Sequence, residues 1–291
     1  LAFGIGAALG LGILLLRRFV PESPRWLMIH GRVAEAEATV ADIERRVADR
    51  IDRLPPIRGP GLRLHVRDRT PFSEIGRAVI ARYPKRALLG VVLMAAQAFF
   101  YNAIFFTYAS VLVRFYGVPA GDVGLYLVPF AIANALGAIL LGPLFDRIGR
   151  KPMIAITYAL SGVLLGGGGW MFVQGGVGAN GLTLVWTIVF FFASPAASAA
   201  YLTVSESFPL ETRAVAIALF YALGTALGGI AAPFLFGVLI GTGDRGRVFD
   251  GYLIGAGLMI GAAIVELMIG IRSEMKPLET IAEPLSYSRD Q

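Results

Sequence analysis

Gly142-Pro-Leu-Phe-Asp-Arg-Ile-Gly-Arg-Lys-Pro152 is a short basic stretch clamped between two long apolar runs. Two membrane helices that reverse on one face of a bilayer need a tight turn. Gly149 can take a left-handed or close-packed backbone that a side chain would block. Arg147, Arg150 and Lys151 hold such a turn on the cytoplasmic side, because basic residues collect there. Asp146 closes the preceding helix and can pair with an arginine or with the N-terminus of a neighbouring helix. The stretch therefore predicts a helical membrane hairpin.

The rest of the chain has the composition this requires. Of its 291 residues 56% are hydrophobic and only 16% charged, with 36 glycines, which is not the balance of a water-soluble domain. A membrane helix needs about 20 apolar residues. Seven such runs can be marked, at about 1–20, 86–113, 122–142, 152–173, 182–204, 215–240 and 250–271. If the chain weaves through all seven, every Lys and Arg except Arg114, Arg245 and Arg247 falls on one side. That asymmetry places residues 21–85 and 272–291 in the cytoplasm. It also explains the net charge of +6 without nucleic acid. Cysteine is absent, which excludes disulfides and thiolate metal sites. His30 and His65 have no ligand cluster around them and read as surface residues. Leu1 opens within an apolar run with no basic leader, so a preceding part of the same protein is expected as a partner of this chain.

The first run ends at Arg17 and Arg18, and its Gly6 and Gly10 allow close helix packing. Pro21-Glu-Ser-Pro-Arg-Trp-Leu27 then stops the helix, because proline cannot continue it. Glu22 and Arg25 put one charge of each sign beside the membrane face. Within 31–54, Val33, Val40, Ile43, Val47, Ile51 and Leu54 recur at helical spacing among charges, which predicts an amphipathic helix too polar to span. Residues 55–72 hold four prolines and read as a linker.

Residues 86–271 form the main helical part. The second run is unusually polar, with Gln97, Tyr101, Asn102 and Tyr108. In an unbroken helix Gln97, Tyr101 and Tyr108 lie within about 40° of one another and line one face. Polar groups at that depth either bond between helices or face a substrate. Asn134, Tyr201, Tyr221 and Thr225 supply similar groups from later runs. The fifth run leads into Glu206, Phe208-Pro209 and Arg213, a second basic-acidic turn. Glu266 in the last run either snorkels or pairs, or carries a proton. Gly241-Thr-Gly-Asp244 matches a membrane protease motif, but no spanning run supplies the second aspartate such chemistry needs. An enzyme is not expected.

Three motifs together resemble the sugar-porter-like branch of the major facilitator superfamily, whose members include metabolite:proton symporters. Pro21 to Leu27 looks like the junction after the sixth helix. Asp146 to Lys151, with Gly142 ahead of it, resembles the signature loop between helices eight and nine. Glu206 to Arg213 resembles the turn after helix ten, and Leu278-Glu-Thr-Ile281 the acidic segment after helix twelve. The resemblance implies an all-α membrane protein holding helices six to twelve plus the cytoplasmic amphipathic helix. Residues 1–20 would be the last helix of the first half, and 86–271 the second half. It further implies alternating access in the cell membrane, with Glu22, Arg25, Gly142, Asp146, Arg147, Gly149, Arg150, Lys151, Glu206 and Arg213 as a cytoplasmic gate. The implied substrate contacts are Gln97, Tyr101, Asn102, Tyr108, Asn134, Tyr201, Tyr221 and Thr225. No cofactor is implied beyond a coupling proton. Sugar porters usually carry paired glutamines and Gly-Ile-Asn in the seventh helix. Here Ala96-Gln97 and Phe100-Tyr-Asn102 stand instead, and Tyr201 replaces a tryptophan. Phenyl bulk in place of an amide favours an aromatic or carboxylate metabolite, with a hexose or pentose, or a non-transporting sensor, as alternatives.

Overall fold

A computed structural model describes residues 2–48, 70–274 and 276–286. The chain divides into two compact units, one holding residues 1–71 with 284–291 and the other residues 72–283.

In the smaller unit, α1 (Ala2–Arg17) is an apolar helix of 16 described residues. Of the expected run 1–20, the helix covers Ala2–Arg17. Ser23 then precedes α2 (Pro24–Ile29), with Pro24 in the first turn, where a missing N–H costs nothing. Trp26 stacks on His30 at 4.0 Å. Gly31 turns the chain at φ 73° and leads into α3 (Val33–Ala48). This is the expected amphipathic helix as far as residue 48. Its remainder, most of the linker and His65 lie outside the described residues. Arg32 bonds Glu35 through both nitrogen–oxygen pairs of its fork and holds that carboxyl below its ordinary range.

The larger unit opens with α4 (Phe72–Gly76), which continues as a wider helical segment to Arg82. Six helical stretches long and apolar enough to cross a membrane follow among the described residues: Pro84–Tyr116, Val123–Arg147, Arg150–Gln174, Ala179–Ser207, Arg213–Gly241 and Arg245–Ile269. The first is broken into α5 (Pro84–Ile104) and α6 (Tyr108–Tyr116). Single helices α7 (Val123–Arg147), α8 (Arg150–Gln174) and α9 (Ala179–Ser207) come next. The fifth stretch is α10 (Arg213–Gly224), a wider turn at Thr225–Ile230, and α11 (Ala231–Gly241). The last long helix is α12 (Arg245–Ile269), followed by the short α13 (Leu278–Ile281).

α7 runs five residues beyond the expected end at 142 and keeps Pro143 inside it. A membrane helix tolerates this where neighbours re-satisfy the freed backbone groups. The signature turn is therefore only Ile148 and Gly149.

Small residues let the helices close up. A Cβ on Gly224 would meet Met94 at 2.7 Å, and one on Gly228 would strike the backbone of Ala95 and Phe99. The wider turn thus lies directly on α5. α12 packs along α8, and α7 along α9. Large aromatics fill the centre, with Phe100, Phe130, Phe190, Trp186 and Tyr252 essentially without exposure. Asp244, the protease-like residue, caps α12 by accepting from the Gly246 N–H at 2.8 Å. That is a structural task.

Candidate functional site

Two groups of sequence-expected residues come together inside the larger unit. The first joins α5 and α9. Gln97 donates from Nε2 to the Tyr201 hydroxyl at 3.4 Å, and the Tyr201 ring lies 6.0 Å from that of Tyr221 on α10. One turn along α5, the Tyr101 hydroxyl donates to Asn134 Oδ1 on α7 at 3.0 Å. Ser194 on α9 donates to the Asn134 backbone carbonyl at 2.7 Å. Residues from α5, α7, α9 and α10 therefore bring three phenols and two amides into pairwise contact.

Asn102 stands apart from these contacts. Its amide nitrogen donates to Ala98 O, one turn back in its own helix, at 2.7 Å. A Cβ on Gly229 would sit 3.4 Å from Asn102 and 3.1 Å from Thr225, so these residues meet at the wider turn.

Tyr108 is not brought to the others. It is fully buried, its hydroxyl bonds that of Thr183 at 2.7 Å, and its ring packs against Phe130 at 5.1 Å. The break at Phe105–Thr107 is the reason, because it removes the unbroken helix on which the shared face depended. Phe100 likewise points into the core, 5.8 Å from Phe190, and lines nothing open. The phenyl bulk expected at the site is core packing. Ser194 was not among the expected contacts. A serine in an apolar helix most often bonds its own backbone, so nothing local marked it.

The charged residues gather around the signature turn. Gly149 has φ 113°, a backbone that L side chains rarely adopt. A Cβ there would also lie 3.0 Å from Glu274 Oε1. Arg150 is 3.6 Å from Asp146 and forms a close ion pair with Glu206 at the end of α9. One guanidinium thus ties α7, α8 and α9 together. Arg213 opens α10 behind the Phe208–Thr212 turn, where the Thr212 hydroxyl donates to Pro209 O at 3.1 Å. Lys151 is half-buried, while Arg147 is exposed. Gly142 has open space where its Cβ would be, so no close approach requires it among the described residues. Glu22 and Arg25 belong to the smaller unit, on the exposed side of the α2 start.

A second anchor lies at the same end of the larger unit. Arg86 donates to the carbonyls of Ser207 at 2.6 Å and Ile281 at 2.9 Å, and sits 4.4 Å over the Tyr83 ring. Arg82 pairs with Glu283 at 3.3 Å. The segment after α12 is thereby strapped to α5 and α9. Glu266 neither snorkels nor pairs with a hydrogen-bonding group. It is fully buried and both carboxyl oxygens lack a hydrogen-bond partner.

The helical order and the signature turn match one family profile, that of "Sugar (and other) transporter", over residues 1–284. The chain belongs to that family. Its relatives carry different cargoes in their names. It is 25% identical to the glucose facilitated diffusion protein of Zymomonas mobilis over 94% of this chain and 57% of that protein. It is 29% identical to the putative metabolite transport protein YdjK of Escherichia coli over 91% of this chain and 55% of the other. The niacin transporter NiaP of Acinetobacter baylyi is 25% identical over 97% of this chain and 60% of its own length. The chain thus spans little more than half of each of these relatives. Family membership makes it part of a multi-pass membrane protein of a transporter family, and not an enzyme.

Proposed function

We propose that this chain is part of a secondary active transporter that moves a small organic solute, an aromatic or carboxylate metabolite, by alternating access. The cell membrane is its setting, α1 serves as the sixth helix and so the seventh span present, and the signature turn and chain end face the cytoplasm. A proton is the coupling ion, to be tested by whether uptake follows an imposed pH gradient. The observation that carries the substrate reading is the pairing of Gln97 with Tyr201 and of Tyr101 with Asn134. Three phenol-bearing side chains converge there with two amides. That set offers flat apolar rings with a few fixed polar contacts, which suits an aromatic solute better than a polyhydroxyl one. Tyr108 is left out of the proposed contacts because it is fully buried in the core, where its hydroxyl bonds Thr183, whereas Tyr101 and Tyr201 keep partial exposure.

The sugar reading keeps one observation in its favour, the Gln97 amide with Asn102 on the same helix. Against it, the Asn102 nitrogen already donates to Ala98 O. The deciding experiment is thermal stability of the full transporter in detergent against hexoses, pentoses, benzoate and nicotinate. A true ligand at about 100 times its dissociation constant adds roughly 2.7 kcal/mol. Stabilisation by benzoate or nicotinate alone supports the aromatic reading, and stabilisation by a sugar alone removes it.

A further inference from the structure

A cavity of about 960 Å³ opens at the end of the larger unit opposite the signature turn, between α6, the start of α7 and α11. That is the size of a small-molecule pocket. Phe106 from the helix break, and Ser110 and Arg114 from α6, line it at four-residue intervals. Phe106 is 67% exposed, so its ring is open to a ligand. The cavity thus holds a ring, a hydroxyl and a cation along one wall.

The cation is the informative member. By the charge asymmetry of the chain, arginine is rare at this end, and each instance has a task to be found. Arg245 is committed to structure. It donates to Phe172 O at 2.9 Å and Phe115 O at 3.1 Å, and its guanidinium lies 4.9 Å from the rings of both Tyr116 and Phe172. Arg247 stands on the first turn of α12 and does not line the cavity. Arg114 does line it, and has no acidic partner among the described residues. Its guanidinium rests at the rim against Gly243, where a Cβ would come within 3.1 Å of Nη2. Gly243 has φ 73°, so the loop leaves room for the arginine.

We propose that this cavity is an entry site for an aromatic carboxylate, with Arg114 receiving the carboxylate and Phe106 the ring before the solute moves to Gln97 and Tyr201. A guanidinium forks onto a carboxylate through two parallel hydrogen bonds. In a mouth of otherwise uncharged lining, one cation also raises the local concentration of anions. The inference rests on the substrate reading above and supplies the positive charge that α5, α9 and α10 lack beside their phenols.

The test uses the full transporter in vesicles, with radiolabelled benzoate and nicotinate as probes. Arg114→Gln should raise KM about tenfold, and by more than it lowers the saturating rate. Arg114→Lys should recover part of that loss. Added salt should raise the wild-type KM and leave that of Arg114→Gln nearly flat. An unchanged KM in Arg114→Gln, or a wild-type KM indifferent to salt, overturns the entry site. If Arg114→Gln folds poorly, the Lys variant and the salt series decide alone. The stability panel separates the two ideas. Benzoate or nicotinate stabilising the wild type with an unchanged KM in Arg114→Gln sinks only the entry site. Stabilisation by hexose alone sinks the substrate reading and this inference with it.

Discussion

Gly149 and Glu266 show how single residues set the cost of the fold. At Gly149 a side chain meets both an unfavourable φ and the Glu274 carboxyl. Gly149→Ala should therefore destabilise by about 1–3 kcal/mol, read as a lower melting temperature in detergent. Glu266 is the reverse case. A buried polar group without a hydrogen bond costs about 1–3 kcal/mol, and Lys151 offers Glu266 only an electrostatic attraction, so Glu266→Met should raise stability; a large fall in melting temperature would show that the Lys151 attraction outweighs that cost. At Glu35 the sign is set by the cation beside it. Arg32 keeps that carboxyl low, so the contact is present above the ordinary glutamate range and lost as pH falls through the folded value. Helical signal from α3 should weaken on acidification and be indifferent to alkali. The need for glycine at 149 was legible in the motif. The burial of Glu266 was not, since a glutamate one or two turns from a helix end has water within reach until the packing of α8 against α12 is known.

At the scale of elements, the sequence was most informative where chemistry punctuates it and least where it does not. The basic turns and Pro209 marked the starts of α8 and α10 and the end of α9 closely. The break between α5 and α6 falls in Phe105-Phe-Thr107, which holds neither glycine nor proline. Helical phase carried across it placed Tyr108 with Gln97 and Tyr101, whereas its hydroxyl bonds Thr183 in the core. Phe100 went astray for a related reason, because periodicity gives a face without saying what that face meets. The glycine-rich wider turn of α10 and α11 can be tested directly. Gly228→Val would force α5 and that turn apart, with an expected loss of at least 2 kcal/mol and a shift in the tryptophan fluorescence of the folded state. The Arg150 tie among α7, α8 and α9 belongs to this scale too. Asp146→Ala or Arg213→Ala should lower transport turnover more than substrate affinity, because charge pairs at a seam bias two states and leave the binding contacts intact. Lost affinity at unchanged turnover would assign those residues to the substrate.

For the molecule as a whole, the distribution of cations separates the two ends of the larger unit. One end gathers arginines into ties between helices, while the other holds three, of which one faces an open cavity. The Arg86 strap has a consequence for how such chains diverge and how they can be engineered. It grips main-chain carbonyls at 207 and 281, and every residue type supplies a carbonyl. The letters of the terminal segment can therefore drift widely over evolutionary time while the segment keeps its seat. Shortening the chain before 281 is a different matter, since it removes the gripped atom itself. A reporter domain fused after residue 286 should be tolerated where a cut at 277 is not.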